Sequence, residues 1–311
     1  MFRGIFIGID RYQSRNIPWL SCAKRDAIAL YSLFTDTLGG QSVLLSDRDA
    51  TRSAIETQCN ELTTCSPDDV VVICFSGHGS ETHEIVTYDT DTSNLKNTGI
   101  PLTTLTDWFS HIPAKRLVFI LDCCFSGGMG ARVLHVETKT KDLRSTDDLI
   151  KELSGETRLI FTASLSTEKA LENQQLGHGL LTYYLLQALQ GAEEVREAGK
   201  IDIYKLLSWV TKNVKDAATK YGGQAQTPTM SGRILGELTW PIFRAGSLYK
   251  AAFPERVKQQ VTSDIQSLSV YRFPPYMLIF FQTLLKKGSA GESLLDKPCR
   301  GKTSSSTRLD R

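Results

Sequence analysis

The chain has 311 residues, 41% of them hydrophobic and 23% charged, with 36 Lys and Arg against 34 Asp and Glu for a formal net charge of +2. This composition excludes a collagen, a coiled coil and a wholly disordered chain, and it lacks the basic excess that marks a nucleic-acid partner. No run reaches the roughly 18 apolar residues of a membrane span, and seven cysteines without a framework point to a reducing, cytoplasmic setting with buried or catalytic thiols.

Strand-like and helix-like segments alternate through the first 240 residues. Phe2–Ile9 is a short apolar run ending in Asp10, too short and too soon acidic for a signal peptide. Asp26–Leu38 carries Ala27, Leu30, Leu33, Phe34 and Leu38 at helical spacing, and Gly39-Gly40 stops it. Val43–Leu45 reads as a second strand, and Thr51 as the N-cap of a helix through Thr64. Val70–Phe75 is a dense β-branched run, the mark of a strand buried on both faces. Leu102–His111 follows as a helix, then Arg116–Leu121 and Arg158–Thr162 as further buried strands. Helices are expected over Gly179–Gln190 and Ile201–Lys220, with a shorter one at Thr146–Leu153 inside the charged stretch Val136–Ser154. Residues 286–311 are polar and rich in Gly and Ser, as in a disordered tail.

Continuous apolar strands between amphipathic helices predict an α/β protein with a mostly parallel sheet covered on both faces. Sites in such sheets form beyond the carboxyl ends of the strands. Val70–Phe75 runs into Ser76-Gly77-His78-Gly79, and Leu117–Leu121 into Asp122-Cys123-Cys124-Phe125-Ser126-Gly127-Gly128. If the two strands are neighbours, an imidazole and a thiol meet at one edge. That pair is the minimum for nucleophilic catalysis by a thiolate, with the histidine moving the proton and glycine-rich turns supplying N–H donors for an oxyanion. Adjacent residues on extended chain face opposite ways, so one of Cys123 and Cys124 points to the cleft; periodicity does not choose between them. A second Gly-His-Gly, Gly177-His178-Gly179, follows no strand and reads as a turn or cap opening a helix.

The two motifs together resemble the caspase–metacaspase clan of cysteine peptidases, nearer to metacaspases and bacterial caspase-like proteins than to animal caspases. Support comes from Leu20-Ser21-Cys22-Ala23-Lys24-Arg25-Asp26-Ala27, from Thr162-Ala163-Ser164 through Ala170-Leu171-Glu172, from His178-Gly179-Leu180-Leu181-Thr182 and from Gln226-Thr227-Pro228. The resemblance covers about residues 1–240. It implies a caspase-hemoglobinase-like three-layer sandwich with a sheet of about six strands. It also implies Cys124 as nucleophile and His78 as base, with the backbone N–H groups of Gly79 and Cys124 as oxyanion hole and no required third member. Cys123 then fills the variable slot of the D-x-C motif.

Metacaspases line the P1 pocket with acids, and the matching positions here are Asp26, Ser76 and Asp122, which implies cleavage after Arg or Lys through charge-assisted contacts. An aspartate-specific pocket using Arg15 or Arg25 is the rival specificity. A catalytically idle interaction module and a different cysteine hydrolase on a flavodoxin-like sheet are the rival functions. The loop 131–157 falls where family members are processed, and Arg132, Lys139, Lys141 and Arg144 are its basic candidates for self-cleavage. Phe125 stands where metacaspases often carry histidine or asparagine. Metacaspases often need calcium, but Glu81, Glu84, Asp89, Asp91, Asp142, Asp147 and Asp148 lack the spacing of a calcium loop, so no cofactor or metal ligand is assigned. The partners implied are protein or peptide substrates, with no nucleic acid and no membrane. Residues 241–285 read as a C-terminal extension that faintly resembles the start of a helicase domain, consistent with truncation of something longer. Gly301-Lys302-Thr303 is no phosphate loop, because Asp296 occupies its first glycine position.

Overall fold

Six strands form the central sheet: β1 (Phe2–Gly8), β2 (Gln41–Ser46), β3 (Val70–Ser76), β4 (Arg116–Asp122), β5 (Arg158–Thr162) and β6 (Thr229–Arg233). Their order is β6-β5-β4-β3-β1-β2. All neighbours pair in parallel except β6, which runs antiparallel to β5 at the edge. The structure is a computed structural model and describes residues 1–125, 133–134, 145–155, 157–234 and 238–255. The chain divides into two compact units, Met1–Ala252 and Phe253–Arg311. Of the second unit only residues 253–255 are described; the helicase-like and phosphate-loop-like stretches and the polar tail lie outside the described residues.

The alternation of β1 explains the layers. Phe2 and Phe6 turn to one face and meet Phe34 of α1 (Ala23–Leu38), each with ring centroids 5.6 Å apart. Ile5 and Ile7 turn to the other and join the main core with Ile73, Phe75, Phe119, Leu121 and Ile160. That core is closed by α2 (Arg52–Glu61), α3 (Leu102–Ser110) and α4 (Thr146–Leu153), through residues such as Ile55, Phe109 and Leu153. Phe109 of α3 sits edge-on to Phe119 of β4 at 5.2 Å. Each such side chain, taken fully out of water, contributes about 1.5–3 kcal/mol. Helices α5 (Leu180–Leu189) and α6 (Ile203–Gly222) pack on each other, and α5 also packs on α1. A strand buried on both faces has no polar side to show, which is why β3 and β4 read as unbroken apolar runs.

The predicted elements are present with ends that differ by a few residues. Helix α1 starts three residues early because Asp10 draws the Ala23 N–H to its carboxylate at 2.8 Å. Thr51 caps α2, its hydroxyl accepting from Ala54 N–H at 3.2 Å, and the last predicted turn of that helix tightens to a 3₁₀ turn at Leu62–Thr64. The first unit extends to Ala252 because the last short helix, α7 (Ser247–Ala252), returns to α1. The Asp36 carboxylate accepts the N–H groups of Gly246, Leu248 and Tyr249 at 2.9, 3.1 and 2.9 Å. A four-stranded sheet of two-residue pieces, Gly79–Ser80, Glu84–Ile85, Ile100–Pro101 and Val133–Leu134, has no counterpart in the sequence reading. Gly179 is the N-cap of α5, as the turn-or-cap reading expects, and His178–Gly179 also pairs with Glu172–Asn173 as a two-residue strand.

Asp69, just ahead of β3, ties the strand starts together. Its carboxylate accepts from the N-terminal amine at 2.6 Å, from Arg3 Nε at 3.1 Å and from Ser66 N–H at 3.1 Å. The hydrogen bond from the amine, more than any other contact, holds this carboxyl at about 2 instead of its ordinary 3.8. A depressed carboxyl stabilises the fold above its unfolded value, and that contribution is lost as the pH falls through the folded value. Urea denaturation of Asp69→Asn should therefore show a deficit against the parent at pH 7 that shrinks between about pH 4 and about pH 2; an equal deficit at both ends of that window would contradict the assignment.

Candidate active site

The β3–β4 register decides where the two motifs lie. Val70 is opposite Arg116 and Ser76 is opposite Asp122, an unbroken parallel ladder, and Gly77 N–H donates to the Asp122 carbonyl at 3.3 Å just beyond it. The offset along this ladder is 46 residues, the same as from His78 to Cys124. Both residues therefore leave the same edge two positions past their strands. Gly79 touches the segment after β4 directly: a Cβ there would collide with the Cys124 carbonyl oxygen and come within 3.0 Å of the Phe125 ring. Only a glycine permits this approach.

His78 is 1% exposed and held on three sides. Its Nε2 donates to the Pro18 carbonyl at 2.8 Å, which places the ring proton on Nε2 and makes Nδ1 the acceptor nitrogen. Its backbone N–H donates to the Tyr12 hydroxyl at 2.9 Å, and Tyr12 donates to the Ile9 carbonyl at 3.2 Å. The two rings lie 5.3 Å apart. Neither Pro18 nor Tyr12 figures in the sequence reading. A backbone carbonyl leaves no trace in residue type, and Tyr12 sits in a loop without periodicity.

The strand alternation separates the two thiols. Cys123 enters the main core with Phe125 and lines a small pocket with Thr146, Ser164 and Thr229. Cys124, 1% exposed, turns to the segment 163–171. Ala170 N–H donates to its Sγ, its thiol reaches the Ala170 carbonyl at 3.9 Å, and Ser164 Oγ lies at 4.0 Å. An N–H aimed at sulfur favours the thiolate over the thiol. Burial, which Cys124 shares, works the other way. It pushes the Cys59 thiol up to about 12, with Glu56 adding to the shift, and raises Cys74 well above its ordinary value, with Asp122 adding. Those thiols stay protonated and inert.

The three residues expected in an acidic P1 pocket come together beside this edge, all buried. Ser76 is the register partner of Asp122 and donates to Asp26 Oδ2 at 3.1 Å. Asp26, from the first turn of α1, also accepts His178 Nδ1 at 2.7 Å and the Gly179 N–H at 3.2–3.3 Å. Asp122 accepts the Thr182 hydroxyl at 2.8 Å. His178 is thus a buried partner of Asp26. Its signals in the sequence are the Gly-His-Gly and the family-like helix opening His178-Gly179-Leu180-Leu181-Thr182. The four candidate self-cleavage positions, Arg132, Lys139, Lys141 and Arg144, lie outside the described residues.

Several of the acids weighed for calcium are engaged by neighbouring donors, and Asp142 lies outside the described residues. Glu84 accepts from Ser80 and Thr82, Asp89 from Arg52 N–H and Thr87, Asp91 from Ser93 and Asp148 from the Ser145 hydroxyl. Each uses its oxygens locally, and among the described residues no group of three His, Cys, Asp or Glu converges on one point. Among the same residues no helix is long and apolar enough to cross a membrane.

The peptidase C14 family, described as the caspase domain, matches residues 3–238. The chain belongs to this family. Its caspase domain thus spans the whole six-stranded sheet, with both motifs inside it. The fold is similar to that in the crystal structure of caspase-1 from Spodoptera frugiperda, with a TM-score of 0.55 over 79% of this chain and 92% of that one, at 13% identity. No curated protein matches the chain.

Gly79→Ala tests the contact between the two turns. A methyl group between the two strand ends should cost about 1–3 kcal/mol of stability in urea denaturation, since neither neighbour is the far end of a flexible side chain. A substitution cost near zero would mean that the two turns are not in contact.

Proposed function

We propose that this caspase-domain protein is a cysteine endopeptidase using Cys124 and His78. The reading is carried by the shared 46-residue offset, which brings both residues to one strand edge. His78 Nδ1 takes the thiol proton while Pro18 holds the opposite ring nitrogen. The Cys124 sulfur attacks the peptide carbonyl carbon and the carbon–oxygen π pair moves to oxygen, where the Gly79 and Cys124 N–H groups receive the negative charge. As the tetrahedral species collapses, the carbon–nitrogen bond breaks and His78 gives its proton to the leaving amine. Water, with His78 now as base, releases the acyl group and restores the thiol.

The same proposal assigns P1 recognition to Asp26, Ser76 and Asp122. Two buried carboxylates at this edge favour a cationic side chain, Arg or Lys, and disfavour an aspartate. The loop 131–157 carries Arg132, Lys139, Lys141 and Arg144, all of the class such a pocket accepts, so the chain is a substrate of its own site.

Fluorogenic peptides with Arg, Lys and Asp at P1 test this reading. Arg and Lys substrates should turn over at least about tenfold faster than Asp, with His78→Ala losing about 10²–10⁴-fold and Cys124→Ala inactive. Preferential cleavage after Asp would overturn the acidic pocket. Full activity of Cys124→Ala would overturn the nucleophile. The intact mass of the parent, set beside that of Cys124→Ala, should reveal cuts in 131–157 only in the parent.

A further inference from the structure

Gln226 has no part in the reaction described above, yet it is 1% exposed and both ends of its amide are committed. Its Oε1 accepts the Leu171 N–H at 3.0 Å and its Nε2 donates to the Ala163 carbonyl at 3.0 Å. These two atoms bracket the segment that lies against Cys124. Next to Gln226, Thr227 gives its N–H and its hydroxyl (3.1 Å) to the Glu168 carboxylate in the middle of the same segment. Within the segment, Ser164 Oγ donates to the Glu168 carbonyl at 3.3 Å. Leu171, whose N–H is pinned by Gln226, directly follows Ala170, whose N–H is on the Cys124 sulfur.

We propose that Gln226 is a positioning residue for the nucleophile: by fixing Ala163 and Leu171 it keeps the Ala170 N–H aimed at the Cys124 sulfur, and so favours the reactive thiolate. The inference rests on the reading of Cys124 as nucleophile. The residue type suits the task. A primary amide carries a donor and an acceptor on separate atoms of one planar group and so reaches a carbonyl and an N–H at once, and a buried backbone group left without its partner is costly. A lone N–H donor stabilises a thiolate over a thiol because the charged acceptor takes the stronger hydrogen bond.

Other ionisable groups surround this sulfur. His78 lies on the β3 turn, Asp122 and Cys123 on its own strand end, and Glu168 and Lys169 in the bracketed segment. Asp147 of α4 is tied to that segment by Ser166 at 2.9 Å, and Asp26 with His178 lies beyond Ser76. Replacing Gln226 by a neutral residue changes none of their charges. A shift in thiol reactivity therefore reports the hydrogen-bond geometry alone.

The experiment follows alkylation of Cys124 by iodoacetamide as a function of pH, in a Cys123→Ala background, with the modified peptide quantified by mass spectrometry. Gln226→Met keeps the length and removes both polar contacts. Its alkylation midpoint should rise by about one pH unit, a tenfold change in the thiol–thiolate equilibrium. Gln226→Asn keeps the amide but is one methylene too short to reach both partners; its midpoint should rise by a smaller amount, and it carries the test if Gln226→Met does not fold. Thr51→Ala, which removes the cap of α2, should lower stability and leave the midpoint where it was. An unchanged midpoint in either folded Gln226 variant would overturn the proposal. Alkylation needs no turnover, so this result is separate from the nucleophile reading, which instead falls if Cys124→Ala keeps peptidase activity.

Discussion

A parallel ladder between two strands is the constraint on which the rest depends. The β3–β4 register cannot slip by one residue without turning every side chain of a doubly buried strand to the opposite face. Phe75 and Phe119 would then leave the α2–α3 side for the α1 side. The hydrophobic core therefore fixes the offset of 46, and that offset in turn sets where the residues after each strand emerge. Gly79 completes the arrangement by allowing backbone-to-backbone contact with Cys124. Site geometry at this edge is a by-product of packing some distance below it.

Much of what orders the edge is backbone. The Pro18 carbonyl sets the His78 tautomer, the Ala170 N–H addresses the Cys124 sulfur, and the Gly179 N–H joins Ser76 and His178 on Asp26. This follows from burial. His78, Cys124, Asp26, Ser76 and Asp122 are all largely shielded from water, and a buried polar group must find its partner within the protein. A buried carboxylate such as Asp26 is tolerable because several donors converge on it, and removing one partner of such a pair typically costs about 3–5 kcal/mol. The same saturation ties the edge to distant chain: Gln226 and Glu168 couple the lead-in of β6 to the segment over Cys124.

The fold was legible wherever periodicity is strong. The runs Val70–Phe75 and Arg116–Leu121, the spaced apolar positions of α1, and Thr51 as a cap each signal an element through side chains alone. Glycine around His78 marked the turn there. The two-residue strands of the second sheet were not legible, because a pattern needs more than two positions to repeat. His178 was read as a cap or turn since only tertiary structure brings it 152 residues along the chain to Asp26. Pro18 acts through its carbonyl, which every residue possesses. Gln226 was visible only as part of a supporting motif, for its work is to bridge two backbone groups that the sequence does not show to be near.

The central claim is that Cys124 and His78 act on one carbonyl at the β3–β4 edge. A peptidyl acyloxymethyl ketone ending in Arg tests it most directly, because its reaction forms a carbon–sulfur bond with the attacking thiolate, expels a carboxylate and leaves the thioether in place. Tandem mass spectrometry should locate that thioether on Cys124, with labelling slowed about a hundredfold or more in His78→Ala. A label on Cys123 or another cysteine, or an equal rate without His78, would contradict the account.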